Sequence, residues 1–353
     1  MPAISARPEP RAAPPHLFAD DLEGPMTLTR AIYECAQSVL AAPPEVVRDL
    51  RIDVDGVPAQ YLDAGAGPPL VLLHGHEQSA AGWRWVIPAL ARTHRVLALS
   101  LPGHGETAPA VGAHAPGRDL APFVTAFLDA LGLGEVDLVG HSSGGAVALN
   151  VALSAPRRLR SLTLVASAGL GRQVNPLLAL DTVPGLGELA ILLSRTPGGA
   201  LARTALSMAM LFARPWRAPG DFVAEQHALA RRPGQLENST TMARALFDAT
   251  GQREVVLDRL AAVTVPTLVI WGARDYVLPA SQAGAAAHRL PGARVSVFPD
   301  CGHLPHVEHP DRFSTELAGW LAEQRAVHRP PTTGPNPPPT EEGSDADRRD
   351  PHP

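Results

Sequence analysis

The chain has 353 residues, 45% of them apolar, 18% charged and 5% aromatic, enough to bury a sizeable core. Its formal charge is −5, from 30 basic and 35 acidic residues, and every basic residue is Arg. This balance offers no basic field for a nucleic-acid backbone and no polybasic membrane patch, and the lack of lysine excludes Schiff-base chemistry and lysine-dependent phosphate loops.

Residues 1–24 are rich in Pro, Ala and Arg, and residues 326–353 are rich in Pro. Burial within either end cannot offset the entropy of ordering it, so both read as disordered extensions. The start has no apolar h-region, which predicts no secretory signal and a cytoplasmic location. No uncharged apolar run reaches the roughly 18 residues of a spanning helix, so no stable membrane insertion is expected. Two cysteines, Cys35 and Cys301, are too few for a disulfide framework, a zinc cluster or an iron–sulfur site.

Between the ends, short apolar runs predict strands at 50–53, 59–63, 70–74, 95–100, 136–139, 162–166, 267–271 and 294–298. Apolar spacing of helical period predicts helices at 119–131, 144–154, 279–290 and 311–323. The alternation is that of a mostly parallel sheet with helices on both faces. Residues 169–262 break it, with helical spacing, prolines at Pro176, Pro184, Pro197, Pro215 and Pro233, and no strand signal. They read as a helical insertion separating two parts of one core, 25–168 and 263–325.

The strongest motif is Gly140-His141-Ser142-Ser143-Gly144, a G-x-S-x-G between an apolar run and a helical one. Gly140 and Gly144 leave room where a Cβ would collide, and the turn lifts Ser142 to a helix N-terminus. A serine hydroxyl needs a base, and the base needs an orienting acid, in the chain order Ser, acid, His. His303 follows Gly302 on the loop after the last strand run, with His306 and His309 as rivals. Asp275 stands after the run 267–271, where a turn or helix-capping role is its alternative. No carboxylate follows the run 162–166, where Ser167-Ala168-Gly169 stands instead. Negative charge developing on a substrate oxygen needs donors, expected from the backbone N–H of Ser143 and of His76. Gly75 permits close approach there, and His74 reads as a loop brace.

Taken together, His74-Gly75-His76, SLPGHGET at 100–107, GHSSGG at 140–145, WGARD at 271–275 and CGHLPHVEHP at 301–310 resemble the α/β-hydrolase family, in the group with a helical cap. The resemblance spans about 50–322 and implies an α/β-hydrolase fold and a cofactor-independent Ser-His-Asp hydrolase, with no metal, whose cap, the insertion, shapes the pocket. Family members often carry Asp where this chain has Ser100, which puts the bracing of that loop in question. Relatives with an aspartate nucleophile open epoxides or carbon–halogen bonds; Ser142 in that position disfavours both. The expected reaction is hydrolysis of an ester, thioester, lactone or activated carbonyl of a hydrophobic small molecule through an acyl-enzyme. Alternatives are carbon–carbon bond hydrolysis of ring-cleavage products, acyl transfer, and a ligand-binding role without turnover. Leu177, Leu178, Leu192, Leu193, Met208, Met210, Leu211, Phe212 and Trp216 of the insertion suggest an apolar substrate wall, with packing as their alternative. The only partner expected is a small-molecule substrate; a homodimer is left open.

Overall fold

The structure, a computed structural model, describes residues 46–109, 116–231 and 234–328. The extension 1–24, residues 25–45 of the expected core, and the tail from 329 lie outside the described residues.

Among the described residues ten strands follow in chain order: β1 (Arg48–Val54), β2 (Val57–Ala64), β3 (Pro69–Leu73), β4 (Arg95–Leu99), β5 (Val136–His141), β6 (Leu159–Val165), β7 (Phe247–Asp248), β8 (Gly251–Gln252), β9 (Thr267–Gly272) and β10 (Arg294–Phe298). Eight of them form one sheet in the order β1-β2-β4-β3-β5-β6-β9-β10, and β7-β8 make a separate two-stranded ribbon. In this sheet β2 runs opposite to the other strands, pairing antiparallel with β1 and β4; an Asp55-Gly56 turn, with φ of 50° and 83°, folds it back on β1. The predicted strand positions all hold. The ribbon does not appear in the sequence reading, because two residues per strand are too few to show a period of two.

The central strands are apolar throughout because both faces are covered. In β3, Leu70 and Leu72 pack with Trp83, Ile87, Phe313 and Leu317, while Val71 and Leu73 pack with Val124, Phe127 and Val147 on the opposite face. These layers are supplied by α1 (Ile87–Leu90), α2 (Pro116–Ala130) and α3 (Ser143–Ser154), by a 3-10 turn at Ala80–Trp83, and by the last helix, which carries Phe313 and Leu317. Between β6 and β9 the described residues form five α-helices, α4 (Pro176–Asp181), α5 (Leu186–Ser194), α6 (Pro197–Leu211), α7 (Gly220–Arg231) and α8 (Gln235–Leu246), besides the ribbon and two 3-10 turns. The chain closes with α9 (Ser281–Ala287), α10 (Pro305–Glu308) and α11 (Pro310–His328). The last helix runs three residues past 325. Among the described residues no helix is long and apolar enough to cross a membrane.

β3 lies between β4 and β5, so the chain leaves it on one side and later returns on the other. At such a switch point the loops at the carboxyl ends of the two strands diverge and leave a crevice, the usual ligand site of an open α/β sheet. The His74-Gly75-His76, 100–107 and 140–145 motifs sit on those loops, and the 271–275 and 301–310 motifs follow β9 and β10 at the same edge of the sheet.

Candidate active site

Ser142 occupies the single position between β5 and α3, with φ 51° and ψ −119°, a conformation costly for a residue with a Cβ. Neighbouring strands hold it there. Its N–H donates to the Val165 carbonyl at 2.9 Å, and its carbonyl accepts from the Gly145 and Ala168 N–H groups at 2.9 Å each. The turn is possible because α3 presses on two loops: a Cβ on Gly144 would lie 2.4 Å from the His74 carbonyl oxygen, and one on Gly140 2.4 Å from that of Gly144. Ser142 and Ser143 are each 8% exposed.

Asp275 and His303 meet beside it, from the loops after β9 and β10. The Nδ1–H of His303 donates to Asp275 Oδ2 at 2.8 Å. The other oxygen, Asp275 Oδ1, accepts the N–H groups of Val277 at 2.8 Å and Leu278 at 2.9 Å, so the carboxylate is fixed from both ends. The two rival histidines stand elsewhere. His309 donates from Nε2 to the Asp300 carbonyl. His306 is buried 4.4 Å from the Trp83 ring with no protein partner for either nitrogen, and burial, with His303 nearby, lowers its pKa to about 3.

On the loop after β3, His74 Nδ1–H donates to the Gly75 carbonyl at 2.7 Å and its Nε2 accepts the Leu101 N–H at 2.9 Å. Burial lowers its pKa to about 3, as a neutral bracing group requires. A Cβ on Gly75 would stand 2.9 Å from Ser142 Cβ, so this loop passes directly over the serine. Ser143 opens α3, where N–H groups at the positive end of the helix have no acceptor within it. Ser100, where relatives carry Asp, still braces its loop: its Oγ accepts the Ala80 N–H at 3.0 Å and donates to Gln60 Oε1 at 3.2 Å.

The serine and the imidazole open into one pocket. Its lining is apolar at Leu178, Met210, Leu211, Phe247 and Val277 and polar at His76, Glu77, Gln78, Ser207 and Gln226. Of the nine apolar insertion residues singled out in the sequence, Leu178, Met210 and Leu211 line this space. Met208 and Phe212 pack with Phe222, Leu304 and Val307, whereas Leu177, Leu192, Leu193 and Trp216 are exposed. Helical spacing marks which residues share a stripe but not which stripe meets a ligand.

Three contacts of the site have no counterpart in the sequence reading. His141 Nε2–H donates to the His303 carbonyl at 2.9 Å, tying the serine turn to the imidazole loop. The His303 N–H donates to the Leu211 carbonyl at 2.8 Å. Glu308 accepts the Gly302 N–H at 2.6 Å on Oε1 and the Ala213 N–H at 3.0 Å on Oε2. The only available signal was that His141 and Glu308 fall inside the quoted motifs. Among the described residues, no group of three or more His, Cys, Asp or Glu is arranged to hold a metal ion.

The family model for the alpha/beta hydrolase fold matches residues 68–310. The chain is 35% identical over 275 residues to the dihydrolipoyllysine-residue acetyltransferase component of the acetoin cleaving system of Pseudomonas putida, covering 77% of this chain and 68% of that protein. It is 33% identical over 295 residues to the 2-hydroxymuconate semialdehyde hydrolase of Pseudomonas sp. strain CF600, covering 80% and 96% of the two. Among solved structures, a serine hydrolase involved in carbazole degradation is similar with a TM-score of 0.66 at 25% identity, covering 79% of this chain and 100% of that one.

Proposed function

The chain belongs to the alpha/beta hydrolase fold family, and from that premise we propose that it is a serine hydrolase of carboxylic esters or related activated carbonyls, with Ser142 as nucleophile, His303 as base and Asp275 as its orienting acid. The observation that carries the reading is the buried His303–Asp275 pair, facing one cavity with a serine held in a strained turn.

In this mechanism Ser142 Oγ adds to the substrate carbonyl carbon as His303 Nε2 takes its proton, and the Asp275 carboxylate stabilises the imidazolium through Nδ1. The carbonyl oxygen, now negative, accepts hydrogen bonds from the Ser143 and His76 N–H groups. The tetrahedral adduct collapses, the leaving alcohol takes the proton from His303, and the acyl group remains on Oγ. Water then attacks the acyl carbon with His303 again as base, releasing the acid and restoring Ser142. The chain supplies every group these steps use, with no cofactor.

A second reading, hydrolysis of a carbon–carbon bond, draws on the 2-hydroxymuconate semialdehyde hydrolase relative. The test compares p-nitrophenyl esters of increasing acyl length and a fluorophosphonate probe on the wild type and on Ser142→Ala. Turnover and labelling that both vanish in the variant are the expected result. Labelling without ester turnover moves the reading to carbon–carbon hydrolysis or acyl transfer. A folded protein with neither signal overturns it in favour of a ligand-binding role.

A further inference from the structure

The polar lining of the pocket carries charge in an unusual arrangement. Arg203, on α6, directs Nη2 at Glu77 Oε1 at 2.7 Å and holds Nη1 3.9 Å from Asp181 Oδ2. Two carboxyl groups therefore face one guanidinium. An adjoining recess shares Glu77, Ser207 and Gln226 with the catalytic cavity and reaches Arg203. Burial alone would raise the Glu77 carboxyl, but the Arg203 guanidinium outweighs it and holds it below its ordinary value, so Glu77 is a carboxylate. His76 stands with Nε2 4.0 Å from Glu77, its Nδ1 buried without a protein partner. Burial lowers its pKa, which makes it a neutral ring with a hydrogen-bonding edge.

We propose that this polar lining is a specificity subsite for an uncharged, hydrogen-bonding group on the substrate, a hydroxyl, amide or second ester, and that it rejects a carboxylate. The subsite rests on the serine-hydrolase reading and names the class of molecule that site accepts. The substrate's apolar body lies against Leu178, Met210 and Phe247, and its distal polar group reaches His76 and Gln226. A distal carboxylate would find the nearest cation occupied and would stand beside Glu77 at partial desolvation, where like charges repel strongly. The subsite obtains its discrimination from a repulsive element as much as from an attractive one.

The test uses matched p-nitrophenyl adipates whose distal end is either the free carboxylate or the primary amide. Binding to Ser142→Ala is measured by calorimetry, and turnover is measured on the otherwise wild-type enzyme. The amide is expected to bind at least about tenfold more tightly than the carboxylate. Glu77→Gln, which frees Arg203, should shrink that ratio or invert it, and Arg203→Met should widen it. Because each ratio compares two ligands on one protein, a general loss of folding moves both together and leaves it unchanged. Equal or tighter binding of the carboxylate to the Ser142→Ala protein, or two variants that shift the ratio in the same direction, would overturn the subsite. The expected binding preference in Ser142→Ala together with turnover of neither ester by the wild-type enzyme would instead count against the hydrolase reading and leave the charge selectivity standing.

Discussion

The backbone N–H of His303 donates to the carbonyl of Leu211, the last residue of α6, at 2.8 Å. The loop carrying the imidazole is thus hydrogen-bonded to the helical insertion, and Glu308 doubles the tie by accepting from Gly302 and Ala213. On this side the insertion is part of the scaffold that aims His303.

Removing the Glu308 carboxylate should therefore cost both stability and rate. Glu308→Ala leaves two N–H groups without their acceptor, a loss of about 2–4 kcal/mol in unfolding free energy. We expect kcat to fall by about ten- to a hundredfold with little change in KM, since the substrate does not touch Glu308. Glu308→Gln, which keeps one acceptor oxygen, should fall between. Denaturant unfolding and steady-state kinetics decide; a KM effect larger than the kcat effect would contradict a positioning role.

Asp275→Asn should preserve the local structure and lose the chemistry. The remaining amide oxygen would satisfy the Val277 and Leu278 N–H groups now bound to Oδ1, turning the NH₂ group toward His303 Nδ1. That arrangement moves the imidazole proton to Nε2, the nitrogen that must accept the Ser142 proton. A loss on the order of 10⁴ in kcat with less than about 1 kcal/mol change in stability is the expected outcome. Esterase rates and thermal melts of the same preparation test it, and a residual rate within tenfold of wild type would refute the tautomer argument.

Gly75→Ala probes the passage of the β3 loop over the serine. Its Cβ would meet His141 Nδ1 at 2.8 Å and Ser142 Cβ at 2.9 Å, two buried neighbours with little freedom to give way. Displacing the loop moves the His76 N–H away from the carbonyl oxygen it is proposed to bind. We expect a drop in acylation of about a hundredfold or more, read as the rate of fluorophosphonate labelling. Labelling at the wild-type rate would show that the loop does not serve as an oxyanion donor.

Acid should destabilise the fold well before the carboxylates titrate. Burial lowers His74 and His306 to about 3 and His104 to about 4, so the folded chain holds them neutral at pH 5 while the unfolded chain protonates them. The stabilisation is complete above the unfolded pKa of about 6.5 and is lost as pH falls toward the folded values, by up to about 4 kcal/mol per pH unit for three imidazoles. Melting temperature scanned from pH 8 to pH 4 should be flat and then fall below about pH 6.5. His306→Phe, which retains an aromatic ring against Trp83, should make that fall shallower by about one proton. A melting temperature unchanged between pH 7 and pH 5 would be inconsistent with three buried neutral histidines.

Strand positions were legible in the sequence because the central strands are buried on both faces and so show as unbroken apolar runs between turn residues. The edge strand β10 was read from its apolar run as well, although there Val295 and Val297 are exposed. Ser142, Asp275 and His303 were nameable because each sits where a strand ends, and strand ends carry local marks: a glycine turn, an aspartate, a Gly-His pair. What the residues around them touch was not nameable. Arg203 lies 126 residues from Glu77, and Leu211 92 from His303, so no local pattern couples them. Only the folding of α4 to α8 back over the sheet decided that Leu178 faces the cavity while Leu177 faces solvent, that Glu308 spans two chain segments, and that a carboxylate already occupies the pocket's arginine. Local order follows from the backbone's short-range preferences, whereas pocket shape and charge come from contacts between segments distant in the chain.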